Sequence, residues 1–262
     1  MPPIITLTTD FGTGSPYVAA MKGVILSINP AVGLVDITHA IPAQDIRAGA
    51  LVLADVCERF PPDTIHVAVV DPGVGNERRI VYARIGEQQY IAPDNGLLSR
   101  LALRRTPSTI RTLTNPQYWL ADISATFHGR DIMAPAAAHL SLGVKPEALG
   151  PAADQLVLLD WTEALVSGQK IEGTVQAIDS FGNLVTNITS EQLAAAPTNP
   201  RVTITCDEHQ TLGIFRTYSD QPEMTLIALI GSSGQLELAI VGESAAAMLG
   251  VRVGTPVVVS WE

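Results

Sequence analysis

Two hydrophobic rhythms divide the chain. In its first half, short β-branched runs alternate with longer stretches whose apolar residues recur every three or four positions. Ile4–Thr8, Val32–Ile37 and Ile65–Val70 read as buried strands, and Ile80–Ile85 and Gln89–Ala92 as two more around Gly86-Glu87. Tyr17–Ile28 has helical spacing and ends at Asn29-Pro30; Gln44–Phe60 has it too and stops at Pro61-Pro62. Leu97–Arg104 starts another helix. A fourth spans Ile132–Leu140, beginning near Met133 with Pro135 in its first turn. Strands alternating with helices predict an α/β fold with a mostly parallel, doubly wound sheet.

The rhythm changes after Ile171. Ile171–Ile178, Leu184–Ile188, Val202–Cys206, Leu212–Phe215, Thr225–Ile230, Leu236–Val241 and Pro256–Trp261 all read as short strands separated by turns. This pattern predicts a small antiparallel β-barrel or sandwich. The expected domains are residues 1–165 and 166–262.

One stretch concentrates the candidate chemistry. The run Ile65–Val70 carries no charge and ends abruptly in Asp71, followed by the turn Pro72-Gly73-Val74-Gly75 and by Arg78-Arg79. Open α/β sheets bind ligands beyond the carboxyl ends of their strands, and Asp71 occupies such an end. Arg78 follows seven residues later, within reach of that carboxylate. The same residues also suit a turn-capping aspartate beside an exposed arginine pair.

Composition removes several function classes. With 47% hydrophobic residues and 262 in all, the chain can build a sizeable core, yet no apolar stretch is long enough for a membrane span. A formal charge of −10 without a basic stripe argues against nucleic acid as a partner. The N-terminal MPPIITLTTDFG lacks the pattern of a signal peptide, and a reducing cytoplasm is expected. Cys57 and Cys206 are far apart and read as small buried residues. His39, His66, His139 and His209 show no metal-ligand spacing. Gly73-Val74-Gly75 lacks the third glycine of a dinucleotide fingerprint, and there is no phosphate-loop lysine.

Other positions admit two readings each. Asp10, at the carboxyl end of the first strand, can accept hydrogen bonds from a ribose diol or cap a helix. His128, beside Gly129, can meet a ligand or be structural. Asp179-Ser180-Phe181-Gly182-Asn183 is a plain hairpin with an Asx turn, or a loop offering a carboxylate, an aromatic face and an amide to a purine and an amino acid. Gly231-Ser232-Ser233-Gly234 is an ordinary turn or a carboxylate cradle.

Taken together, TTDFG at 8–12, DPGVG…R at 71–78, APDNGLL at 92–98, FHGRD at 127–131, DSFGNLVTNI at 179–188 and GSSGQLELA at 231–239 resemble one family in order and spacing. It is that of the adenosine-forming S-adenosylmethionine (SAM) hydrolases, or SAM hydroxide adenosyltransferases, related to the SAM-dependent fluorinase and chlorinase. The resemblance implies a Rossmann-like N-terminal domain, a C-terminal β-barrel, and a homotrimer with active sites between subunits. It implies hydrolysis of SAM to adenosine and methionine without cofactor or metal. Asp10 matches the ribose carboxylate, and Asp71, Arg78 and His128 match the triad that handles the attacking water. Asp179 and Ser232, with Ser233 beside them, match groups holding the methionine amine and carboxylate; Ser233 stands where the halogenases carry arginine. Asn183 matches an adenine-binding amide, Phe181 and Tyr218 match aromatic neighbours of the nucleoside, and backbone near Ile240 and Gly242 meets the adenine edge. Tyr17 completes the implied substrate-binding set. Where the halogenases have tyrosines, this chain has His128 and Asp71, and Gly129 replaces their fluoride-binding serine. Arg79 competes with Arg78 for the arginine role, and the seven-residue spacing favours Arg78. Two alternatives remain: a SAM-dependent halogenase, or a non-catalytic SAM- or adenosine-binding module.

Overall fold

The computed structural model describes residues 2–199 and 201–262. The chain divides into two compact units, residues 1–159 and 160–262.

In the first unit, β1 (Ile4–Thr9) leads to α1 (Pro16–Ile28), β2 (Gly33–Thr38), α2 (Ile46–Val56) and β3 (Ile65–Val69). Strands β4 (Ile80–Ile85) and β5 (Gln88–Pro93) form a hairpin; α3 (Ser99–Arg104), β6 (Thr109–Thr112) and α4 (Ala134–Ser141) follow. The six strands take the order β2-β1-β3-β5-β4-β6. The pairs β1–β2, β1–β3 and β3–β5 are parallel, and β4 runs antiparallel to β5 and β6. The largely apolar sequence of β3 is explained by its central place, with every residue, His66 included, buried. One core packs α1 and α4 against β1 and β3; another packs α2 and α3 against the other face.

Helix ends follow local chemistry. Ser15 caps α1, with Pro16 in its first turn. Asp45 caps α2, which is shorter than the Gln44–Phe60 pattern suggests: it closes at Val56, and Cys57–Arg59 continue as one tighter turn before the prolines.

The helix expected from Ile132 starts earlier, as a wide π-turn over Gly129–Met133. Pro135 supplies the reason. It has no N–H for the Asp131 carbonyl four residues back, and Leu120 N–H takes that carbonyl instead at 2.9 Å.

The second unit contains β7 (Leu165–Ser167), β8 (Lys170–Ile178), β9 (Leu184–Thr189), β10 (Val202–Cys206), β11 (His209–Leu212), β12 (Leu226–Ile230), β13 (Gln235–Ile240), α5 (Ala245–Leu249) and β14 (Pro256–Trp261). All its strand pairings are antiparallel, in the order β11-β10-β14-β8-β9-β13-β12, with β7 beside β8. The sheet wraps nearly closed around one apolar core. The run expected as a strand at Leu212–Phe215 lies mostly beyond β11: Gly213, at φ 80°, turns the chain after Leu212. Strands β6 and β7 and helix α5 carry too few residues for a periodic signal.

Cys57 and Cys206 are buried free thiols, and burial raises the pKa of both. Among the described residues no helix is long and apolar enough to cross a membrane, and no group of three or more potential ligands could hold a metal ion.

Candidate active site

The parallel register of β1 and β3 sets Thr9 against Val69, so Asp10 and Asp71 emerge at neighbouring carboxyl ends. Asn95 holds the end of β3 by donating its amide to the Val70 carbonyl at 2.9 Å. The chain then makes two turns, Val74 N–H to Asp71 O and Asn76 N–H to Gly73 O. Gly75 is required there. At φ 84°, a Cβ on it would stand 2.6 Å from the Ala125 carbonyl oxygen, so the 71–78 loop packs against the segment leading to His128.

These turns return Arg78 to Asp71. Arg78 Nε donates to both carboxylate oxygens at 2.9 and 2.8 Å, and Nη2 donates to Oδ2 at 2.5 Å. The pair is sheltered, with side-chain exposures of 11% and 4%, and such bidentate charge-assisted bonds hold both groups in one orientation. The same Nη2 lies 3.0 Å from His128 Nδ1. A guanidinium has no acceptor, so Nδ1 must accept and the neutral imidazole carries its proton on Nε2. Burial lowers the pKa of His128, and the Arg78 charge lowers it further; Asp71 and Asp131 oppose this.

Arg79 faces elsewhere, pairing with Asp94 and donating to the Gln155 carbonyl. The geometry therefore separates the two arginines as their spacing suggests.

His128 occupies the N-terminal boundary of the π-turn. Three residues on, fully buried Asp131 accepts from Ser124 N–H at 2.8 Å and from Arg130 Nε at 2.5 Å, fastening the loop before His128. Asp10, Phe11, Gln44, Val69, Asp71, Pro72, Val74, Thr126, Phe127, His128 and Gly129 line one cleft of about 230 Å³. Phe11, Tyr17 and Phe127 meet edge to face beside it, with ring centroids 5.0 to 5.7 Å apart. Asp10 Oδ2 accepts from Gln44 N–H at 2.8 Å.

In the second unit the candidate residues cluster on turns. Asp179 Oδ1 accepts from Phe181 N–H and Asn183 N–H, and Oδ2 from the Asn183 side-chain amide, at 2.8 to 2.9 Å. This is an Asx turn, and it leaves the Phe181 ring 77% exposed. Ser232 and Ser233 are exposed between β12 and β13, and Ser233 Oγ donates to Gln235 Oε1 at 3.0 Å. Tyr218 O–H donates to Glu237 Oε2 at 3.1 Å. Glu237 is buried, with its pKa raised by burial and by Asp179. Its carboxyl fills the space that a side chain at Gly231 would take. Ile240 ends β13 and bridges to Glu243, while Gly242 turns the chain at φ 83°.

Residues 5–150 match the SAM hydroxide adenosyltransferase N-terminal domain, and residues 173–258 match the corresponding C-terminal domain. The chain belongs to the SAM hydroxide adenosyltransferase family.

Family relatives agree with that placement. A protein of Thermus thermophilus named (R)-S-adenosyl-L-methionine hydrolase is 39% identical, covering 98% of this chain and 99% of its own. A fluorinase of Actinoplanes is 30% identical over 74% of each chain. A crystal structure of an uncharacterized conserved protein from Thermotoga maritima superposes with a TM-score of 0.93 at 32% identity, covering 98% of this chain and 99% of that one.

In this family member, Asp10, Asp71, Arg78 and His128 gather within the first unit, with Tyr17 at the edge. Asp179, Asn183 and Phe181 share one hairpin, and Tyr218, Ser232, Ser233, Ile240 and Gly242 lie on or beside β12 and β13. Sequence reasoning passed over Phe11, Phe127, Gln44 and Glu237. Phe11 and Phe127 were legible, since each adjoins a candidate inside a quoted motif. Gln44, with φ 64° and a backbone N–H on Asp10, left no signal. Buried Glu237 left no signal either: strand alternation sets it with Gln235 and Ala239 on the face opposite Leu236, Leu238 and Ile240 of the apolar core.

Proposed function

We propose that this protein hydrolyses SAM to adenosine and L-methionine by attack of water at the ribose C5′. The observation that carries the reading is Arg78 joining the Asp71 carboxylate to His128 Nδ1 in the cleft that Asp10 also lines. The carbon–oxygen bond forms as the carbon–sulfur bond breaks. Methionine leaves as a neutral thioether and needs no general acid. The harder task is to align water opposite sulfur and remove its proton.

Asp71 takes that task. Oδ2 accepts twice from Arg78, whereas Oδ1 accepts once and keeps a lone pair for a water proton. His128 Nε2–H donates to the water oxygen and orients it, while the Arg78 charge stabilises developing hydroxide. General-base assistance typically contributes about 10²–10⁴-fold, and alignment adds to it. A carboxylate here repels halide, which favours water over a halogenase reaction.

Asp10 holds the ribose diol. Asp179 and Ser232, with Ser233, hold the methionine amine and carboxylate; Asn183, Phe181, Tyr218, Tyr17 and the backbone at Ile240 and Gly242 hold the nucleoside. Residues 1–165 thus carry the ribose site and triad, and residues 166–262 the adenine and methionine contacts. The family resemblance supports a homotrimer with active sites shared between neighbours, which sedimentation equilibrium tests. No metal or other cofactor enters this scheme.

Purified protein incubated with SAM in heavy-oxygen water yields equal adenosine and methionine on chromatography, with the label in the adenosine 5′-hydroxyl. SAM left intact after long incubation overturns the assignment.

A further inference from the structure

Hydrogen bonds tie the turn that carries Asp10 to a neighbouring segment, residues 36–44. The tie begins with an irregularity in the β1–β2 ladder, where Leu7 opposes Asp36 but Thr8 opposes Thr38. This bulge at Ile37 re-aims the strand end and brings Asp36 and His39 together. Thr9, fully buried, has its hydroxyl 2.9 Å from His39 Nδ1. That hydroxyl also accepts from Phe11 N–H at 3.3 Å, so its own proton is free to go to Nδ1. His39 Nε2 then carries the ring proton and stands 3.1 Å from Asp36 Oδ1, off the N–H axis. Asp36 Oδ2 accepts from Lys22 Nζ at 2.6 Å. The main chain adds two more ties: Gly12 N–H donates to His39 O at 2.8 Å, and Gln44 N–H to Asp10 Oδ2 at 2.8 Å.

We propose that His39 is a positioning residue for the ribose end of the substrate. Through Thr9 and its own carbonyl it fixes the Thr9–Gly12 turn on both sides of Asp10. One carboxylate oxygen stays on Gln44 N–H, and the remaining acceptor capacity faces the diol. Asp36 and Lys22 hold the imidazole in turn. His39 touches no reacting atom; it acts by setting where Asp10 stands. The inference rests on the assignment of Asp10 to the ribose.

The test compares SAM with its 2′-deoxy analogue in the full-length enzyme. Wild type prefers SAM. In His39→Ala, KM for SAM rises roughly tenfold, the worth of one displaced hydrogen bond, kcat changes far less, and the preference over the 2′-deoxy analogue shrinks by a similar factor. His39→Asn, which restores a polar group beside Thr9, recovers part of the preference. Thr9→Val, an isosteric change, reproduces the loss and serves should His39→Ala fail to fold. Equal losses for both substrates overturn the proposal, because a general structural role leaves the ratio unchanged; so does an unaltered KM. If wild type turns over both substrates equally well, the Asp10 assignment fails instead. If wild type turns over neither, the hydrolase reading fails.

Discussion

The two groups of candidate residues use their polar atoms differently. In the first unit, Asp71 and Arg78 come from one loop and His128 from another, 50 positions beyond Arg78, and Arg78 bonds to both. In the second, Asp179 bonds residues two and four positions away, and Phe181 stands out in solvent. Long-range, sheltered bonds fix reacting groups before substrate arrives, which suits chemistry. Local turn bonds fix a loop's shape but leave its outer face open, which suits grip. The comparison implies that damage to the first group lowers turnover, whereas damage to the second weakens binding.

The largest expected effect is that of Asp71→Ala. Loss of the proton acceptor lowers kcat by about 10²–10⁴-fold, while calorimetry still detects SAM binding. Loss of binding in step with turnover breaks the division, because Asp71 is then an anchor.

Acid is the next probe. His128 must be neutral to accept from Arg78, and its pKa lies below the ordinary 6.5. The reaction is therefore at full rate at neutral pH. It declines as pH falls through that lowered value, approaching tenfold per pH unit once the imidazole is mostly charged. A kcat–pH profile falling instead from a pKa above 6.5 shows that a charged His128 is the working form and overturns the tautomer assigned to it.

The smallest effect belongs to the second group. Phe181→Ala removes an exposed ring with little packing, so stability barely changes. KM for SAM rises roughly tenfold if the ring stacks on the base, since such stacking contributes about 1–3 kcal/mol. A fall in kcat with KM unchanged reverses the roles assigned to the two groups.

Much of this was legible in the chain itself. A short charge-free β-branched run bounded by turn residues reads as a strand covered on both faces, so β3 and its abrupt end at Asp71 follow from the residues alone. Asn29-Pro30 and Pro61-Pro62 mark where helical runs stop, and the two hydrophobic rhythms separate the α/β sheet from the antiparallel one. Six motifs in order identify the family. The spacing from Asp71 to Arg78 favours the arginine that the fold delivers.

Other features depend on tertiary structure. The π-turn at Gly129–Met133 arises because Pro135 releases a carbonyl that only a distant residue, Leu120, satisfies. The protonated nitrogen of His128 follows from a guanidinium 50 positions away. The roles of His39 and Gln44 depend on a bulge in one strand pair and on a positive φ, and neither leaves a periodic trace. Hydrophobic pattern and turn chemistry are local and repeat along the chain, so sequence displays them. Which polar atom meets which is set by register, and register exists only once the strands have paired.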